Sequence, residues 1–233
     1  MSPFPHGVVK PSQISLRSLV MPRGSISARS IILGVADVED WELRKLSRYA
    51  PGSLDALCQC TNFTRKEIRA IYNGFKQDCP NGTVSKERFK DLYCGFFPLG
   101  DARTYSGHVF DTVDKAGEGS ITFEQFLVAM SVISRGTFEE KITWVFNLYD
   151  INGDGYISPE EMLAIVTSIY EMLGRRAEPP IEEDTAQQHA DRIFHKMDLN
   201  QDGLISFAEF QEVCKNDHEI CKSMDIFGTA LGI

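Results

Sequence analysis

No run of apolar residues in this 233-residue chain approaches the 18 that a membrane-spanning helix requires. The amino terminus also lacks a signal-peptide core, because Pro3, Pro5 and Pro11 interrupt it early. Acids are missing from residues 1–36, which hold Lys10, Arg17, Arg23 and Arg29, so the remainder must carry −13 for the chain to total −9. That imbalance describes a basic arm on an acidic body. Its Ser, Pro and Gly residues predict disorder in the arm. Its Arg and Ser content resembles a mitochondrial transit peptide, but the prolines and glycines break the amphipathic helix such a peptide needs. Direct DNA binding by the acidic body is disfavoured, since phosphate affinity needs a basic surface.

The six cysteines (Cys58, Cys60, Cys79, Cys94, Cys214, Cys221) form no paired C-x-x-C set with a matching His or Cys pair, so zinc is unsupported. Free thiols in a reducing compartment are the expectation. His6, His108, His189, His195 and His218 make no set with a nucleophile or an acid, and the spacing of His189 and His195 is wrong for an i, i+4 metal pair. Catalysis and a small-molecule substrate therefore find no support, and the chain is read as non-enzymatic.

What the sequence does contain is a fourfold repeat. An aromatic-rich helical stretch, a polar loop with a central glycine, an apolar residue and a second helix recur around Gly82, Gly119, Gly155 and Gly203. Each glycine is followed two residues later by Val84, Ile121, Ile157 or Ile205. The twelve-residue loops therefore start at Gln77, Asp114, Asp150 and Asp198. Helix starts are marked by Thr64-Arg-Lys-Glu67, Thr137-Phe-Glu-Glu140, Ser158-Pro-Glu-Glu161 and Ser206-Phe-Ala-Glu209. In each, a hydroxyl and a carboxylate three residues apart can satisfy each other's backbone N–H groups. Pro159 sits at a first helical position, where its missing N–H costs nothing.

Calcium takes six to eight oxygens, which a helix–loop–helix EF-hand supplies from loop positions 1, 3, 5, 7, 9 and 12, with glycine at 6 for the sharp turn. The third loop meets every requirement with Asp150, Asn152, Asp154, the Tyr156 carbonyl, Ser158 and Glu161. The fourth repeats it with Asp198, Asn200, Asp202, the Leu204 carbonyl, Ser206 and Glu209. Two full matches 48 residues apart are not a coincidence of acidic turns. Because the glutamate at position 12 is also the third residue of the exit helix, chelation moves that helix. The first loop fails, with Gln77, Cys79 and Pro80 at positions 1, 3 and 4 and Arg88 at 12. The second keeps Asp114, Glu118 and Thr122 but has Ala116 at 3 and Gln125 at 12, leaving at most weak Mg2+ occupancy. The expected fold is all-α: four EF-hands in two pairs, with short β-bridges between paired loops. Residues 37–136 hold hands one and two, and 137–233 hold the two Ca2+ sites and a C-terminal helix.

Eight of the fifteen phenylalanines fall between residues 63 and 126, in the half whose loops cannot take calcium. A pair of EF-hands has little interior, so the surplus predicts a groove for an amphipathic partner helix. Its expected lining is Ile68, Ile71, Tyr72, Phe75, Phe89, Leu92, Phe96, Phe97, Phe110, Phe126, Ile133 and Trp144. The nearest methionine, Met130, lies just beyond that span, and an aromatic wall suits one dedicated partner better than many. Met224 and Phe227, on one face of a C-terminal helix, are expected to cover the empty groove.

These features resemble the neuronal calcium sensor branch of EF-hand proteins, in which a Cys-Pro pair disables the first loop as Cys79-Pro80 does here. Within that branch the chain is most similar to the Kv channel-interacting proteins, over roughly residues 36–227. The pieces that carry the likeness are Val38-Glu-Asp40, Phe63-Thr-Arg-Lys-Glu67, Gly74-Phe-Lys76, Phe96-Phe-Pro98, Leu148-Tyr-Asp-Ile-Asn152, Gly155-Tyr-Ile157, Glu160-Glu-Met-Leu163 and Ser223-Met224 with Phe227. Met1-Ser2-Pro3 offers no Met-Gly start for N-myristoylation, which fits that largely unmyristoylated subfamily. Gln125 departs from the family, which usually keeps an acid there. The resemblance implies a regulatory subunit that binds the cytoplasmic N-terminal helix of Shal-type, A-type voltage-gated potassium channels. It would be cytoplasmic, held at the plasma membrane by the channel, with room for a nuclear pool. The basic arm, with Ile31-Ile-Leu33 and Val35, is either a passive tail or a membrane-surface contact. The same scaffold also suits a transcriptional repressor, a presenilin partner or an enzyme's regulatory chain.

Overall fold

The computed structural model describes residues 53–95, 100–174 and 183–217, and these fold mostly into helices. The short α1 (Leu54–Cys60) leads into α2 (Arg65–Asp78), whose start is set by Thr64 and Glu67. Glu67 Oε2 accepts the Thr64 N–H at 2.7 Å, while the Thr64 hydroxyl accepts the Glu67 N–H at 3.4 Å. Phe63 and Ile68, placed where a hydrophobic staple would sit, are both buried in one cluster. Then follow β1 (Thr83–Ser85), α3 (Lys86–Cys94), α4 (Arg103–Val113), β2 (Ser120–Thr122) and α5 (Phe123–Arg135). The second half runs α6 (Phe138–Tyr149), β3 (Tyr156–Ile157), α7 (Pro159–Leu173), α8 (Glu183–Met197), β4 (Ile205–Ser206) and α9 (Phe207–Asn216). Reciprocal capping boxes open α6, α7 and α9 where the sequence places them, and a further one, Thr122 with Gln125, opens α5.

The strands are two or three residues long because only one apolar residue per loop must face inward. Strands β1 and β2 pair antiparallel with Val84 opposite Ile121, and β3 and β4 with Ile157 opposite Ile205. All four of these side chains are buried, so each bridge ties two loops together over a core residue.

Two hydrophobic clusters result. One is built from α1, α2, β1, β2 and α5, with Leu57, Ile71, Phe75, Phe123 and Leu127 inside it. The other is built around α6, α7, α8 and α9, with Val145, Phe146, Ile165, Phe194 and Phe210. Helix α4 serves both: Tyr105 and Val109 enter the second cluster, whereas Phe110, one residue further on, enters the first. The two halves are therefore packed against each other through α4, with Phe89 of α3 also touching both clusters. No helix among the described residues is long and apolar enough to cross a membrane.

Candidate metal centre

Helix α6 ends on the third loop, with Asp150 as its C-cap and the Asp150 N–H bonded to the Phe146 carbonyl at 2.9 Å. From there the backbone coils around the side chains of positions 1, 3 and 5. Asp150 Oδ1 accepts from the N–H groups of Gly153 (2.8 Å) and Asp154 (3.1 Å), and Oδ2 from Gly155 (3.0 Å). Asn152 Oδ1 accepts the Asp154 N–H at 2.8 Å, and Asp154 Oδ1 the Tyr156 N–H at 2.9 Å. This winding requires left-handed backbone at Gly155 (φ 88°), where no nearby atom would meet an added Cβ; the demand is conformational, not steric.

Glu161 closes the ring. Its Oε1 accepts the N–H groups of Ile151 (3.0 Å) and Asn152 (3.1 Å), and its Oε2 accepts the Ser158 N–H and hydroxyl at 2.9 and 2.7 Å. One carboxylate on α7 thus spans the start and the end of the loop. The fourth loop copies the arrangement. Glu209 Oε1 meets the Leu199 and Asn200 N–H groups at 3.2 Å, and Oε2 meets Ser206. The Ser206 hydroxyl and N–H, with lesser help from Asn200 and Leu199, hold the Glu209 carboxyl below its usual range. Asp198 Oδ2 accepts the Gly203 N–H at 3.0 Å, as Asp150 does for Gly155.

The donors fit a hard cation. Each of these two loops offers only oxygens: three carboxylates, an amide, a hydroxyl and a backbone carbonyl. Among the described residues, no three or more His, Cys, Asp or Glu side chains by themselves form a metal-binding group. The amide, hydroxyl and carbonyl are needed to complete either set. Side chains at positions 2 and 7 (Ile151 and Tyr156, Leu199 and Leu204) are exposed, consistent with only the backbone serving at position 7.

The first loop lacks the acid that would close it and carries cations at its edges instead. Arg88, at position 12, pairs with Asp78 at 3.0 Å, and the buried Lys76 donates its ammonium to the Pro80 carbonyl. Cys79, at position 3, is buried, and burial together with Asp78 pushes its thiol up. No local sequence pattern marks Lys76 as buried. The second loop keeps the turn but not the closure. Asp114 is buried and accepts from Glu118 (3.0 Å) and Gly119 (2.7 Å), yet position 12 presents the Gln125 amide, whose oxygen accepts the Thr122 N–H at 2.7 Å.

The groove expectation needs correction at several residues. Ile68, Ile71, Phe75 and Phe110 are 2, 7, 9 and 0% exposed and form the interior of the first cluster rather than an open wall. The reason is geometric: Phe110 arrives from α4, whose opposite side belongs to the other half, so it has nowhere to go but inward. Tyr72, Leu92 and Phe126 are half-buried at the rim of that cluster, with Tyr72 edge-on to Phe123 and Phe126 beside Phe75. Phe89 packs on both clusters. Ile133 is half-buried. Trp144 packs on the second cluster. Phe96, Phe97, Met224, Phe227 and the basic arm lie outside the described residues.

A comparison with known families is consistent with this geometry. Residues 139–215 match the family model described as EF-hand domain pair, the segment that holds both complete loops. Residues 139–215 are therefore an EF-hand pair, a module of the EF-hand superfamily that typically binds calcium.

Proposed function

We propose that the chain is a calcium-sensing regulatory subunit with four EF-hands, of which the third and fourth load Ca2+. The observation that carries this is the contrast between loops. Two present complete oxygen sets around Glu161 and Glu209, while the first has Gln77, Cys79 and Arg88 at positions 1, 3 and 12, with Arg88 turned to Asp78. The second loop, with Asp114 but no acid at position 12, holds Mg2+ at most weakly.

The partner proposed from the resemblance is the cytoplasmic N-terminal helix of a Shal-type voltage-gated potassium channel. It docks on the rim of the N-terminal cluster at Tyr72, Leu92 and Phe126, and the calcium-loaded half tunes the complex. The protein would then have no catalytic activity, and would sit in the cytoplasm against the plasma membrane through the channel. Half-buried rim residues can be truncated without emptying the core. Each anchor contributes about 1.5–3 kcal/mol, so Tyr72→Ala or Phe126→Ala should weaken capture of the channel peptide by roughly tenfold to a hundredfold. A pull-down comparing these variants with Glu161→Gln/Glu209→Gln tests the division of labour. Undiminished binding by the rim variants contradicts the docking site. Complete loss in the calcium-dead variant contradicts the claim that the N-terminal half grips on its own.

A further inference from the structure

Helix α7 starts on the third loop and ends on the N-terminal half. At its first turn stand the Ser158 cap and Glu161, whose two oxygens span the loop. Ten residues on, roughly 15 Å along the axis at the usual rise, the Glu171 carbonyl accepts the N–H of Asp101 at 2.9 Å. The last carbonyls of a helix have no partner within it, and the linker between α3 and α4 supplies one here. Gly100 makes the approach close: a Cβ at this position would fall 2.2 Å from the Met172 oxygen and 2.5 Å from that of Glu171. The contact is backbone against backbone, beside fully buried Ala102 and Met172. No side-chain rotation can absorb a shift of α7 at this point.

Asp101 is tied to the start of α4. Asp101 Oδ1 accepts the Arg103 N–H at 2.9 Å, and the Ser106 N–H bonds to the Ala102 carbonyl at 2.9 Å. Helix α4 then delivers Phe110 into the N-terminal cluster, edge-on to Phe89 at 5.6 Å. The strand bridges offer no such route, since β1 pairs with β2 and β3 with β4.

We propose that Gly100 and Asp101 are positioning residues that transmit calcium occupancy of the third loop to the N-terminal cluster. This rests on the reading that the third loop binds calcium. An ion drawing on the Glu161 oxygens would alter their bonds to the Ile151 and Asn152 N–H groups, giving the start of α7 an ion-bound arrangement distinct from the ion-free one, as coupling requires. The far end of α7 carries that difference to Asp101, then through α4 to Phe110.

The experiment is amide hydrogen exchange on the full chain with and without calcium, with calorimetry on the same samples. In the wild type, calcium should change the exchange of the Asp101 amide and of residues 105–113 by at least about threefold. In Gly100→Ala, residues 139–215 should keep their calcium response while that of residues 105–113 largely disappears. An unchanged Asp101 amide in wild type with its calcium sites filled overturns the coupling while leaving the functional reading intact, and this holds even if Gly100→Ala fails to fold. A Gly100→Ala response in residues 105–113 equal to wild type also overturns it. A wild-type chain that takes up no calcium overturns both.

Discussion

Arg135, at the end of α5, places its guanidinium across both oxygens of Glu67, at 2.5 and 3.1 Å, although 68 residues separate the two. Glu67 is also the carboxylate of the Thr64 capping box, so one side chain starts α2 and fastens it to α5. Asn62 completes the clasp: its backbone carbonyl accepts from the Arg135 guanidinium at 2.8 Å and its side-chain amide donates to the Arg135 carbonyl at 3.2 Å, while the guanidinium lies 4.8 Å from the Phe63 ring centre. This clasp holds the helix that enters the first loop to the helix that leaves the second.

The clasp gives the fold a defined response to acid. Burial pushes the Glu67 carboxyl up, but the Thr64 N–H, Arg135 and the Thr64 hydroxyl outweigh it and hold it below its ordinary 4.5. A carboxyl lowered on folding stabilises the native state above its unfolded value, and that contribution is lost as pH falls through the folded one. Arg135→Gln should cost about 1–2 kcal/mol at neutral pH. The gap between variant and wild type should narrow as pH drops below 4.5, leaving the part carried by the Asn62 carbonyl and the Phe63 ring. Urea titrations at several pH values read this directly, and a gap independent of pH would show that Arg135 does not act through the Glu67 carboxylate.

Gln201 is the one non-glycine with positive φ among the described residues, at 60°, and it occupies the fourth position of the fourth loop. The third loop has Gly153 there, at φ 72°. Left-handed backbone costs an ordinary residue roughly 1–2 kcal/mol, part of which glycine returns through its freer unfolded chain. Gln201→Gly should therefore stabilise the calcium-free protein by up to about 1 kcal/mol and leave calcium stoichiometry unchanged. Thermal unfolding in chelator checks this, and a lowered midpoint would contradict it.

Trp144 lies on α6, six residues before Asp150, with its indole N–H buried and without a hydrogen-bond partner. A group so placed should respond when the loop that follows its helix is rearranged. With Trp41→Phe leaving Trp144 as the sole tryptophan, its emission should shift on calcium addition. A fixed spectrum despite proven binding would argue against movement of α6.

Much of the site was readable because its signals are local. Hydroxyl and carboxylate three residues apart marked the starts of α2, α6, α7 and α9, and Pro159 sharpened one of them. The start of α5 uses the same device with glutamine in the acid's place, Thr122 with Gln125. Loop spacing picked out all twelve candidate donors, since each loop is one uninterrupted stretch of chain. Long-range features were not readable. Counting aromatic residues between 63 and 126 revealed an excess, but not that Phe110 turns inward because its helix is shared. The Arg135–Glu67 clasp and the Gly100 contact each join residues about 70 positions apart, so neither has a local pattern to betray it.

Calorimetric titration of the metal-free chain with calcium in excess Mg2+ tests the central claim most directly. Two sites of sensor-range affinity, roughly 10⁻⁷–10⁻⁵ M, should appear, with Glu161→Gln abolishing one and Glu209→Gln the other. Three or more sites surviving in Mg2+, or two sites that persist in either variant, would contradict the assignment of calcium to the third and fourth loops.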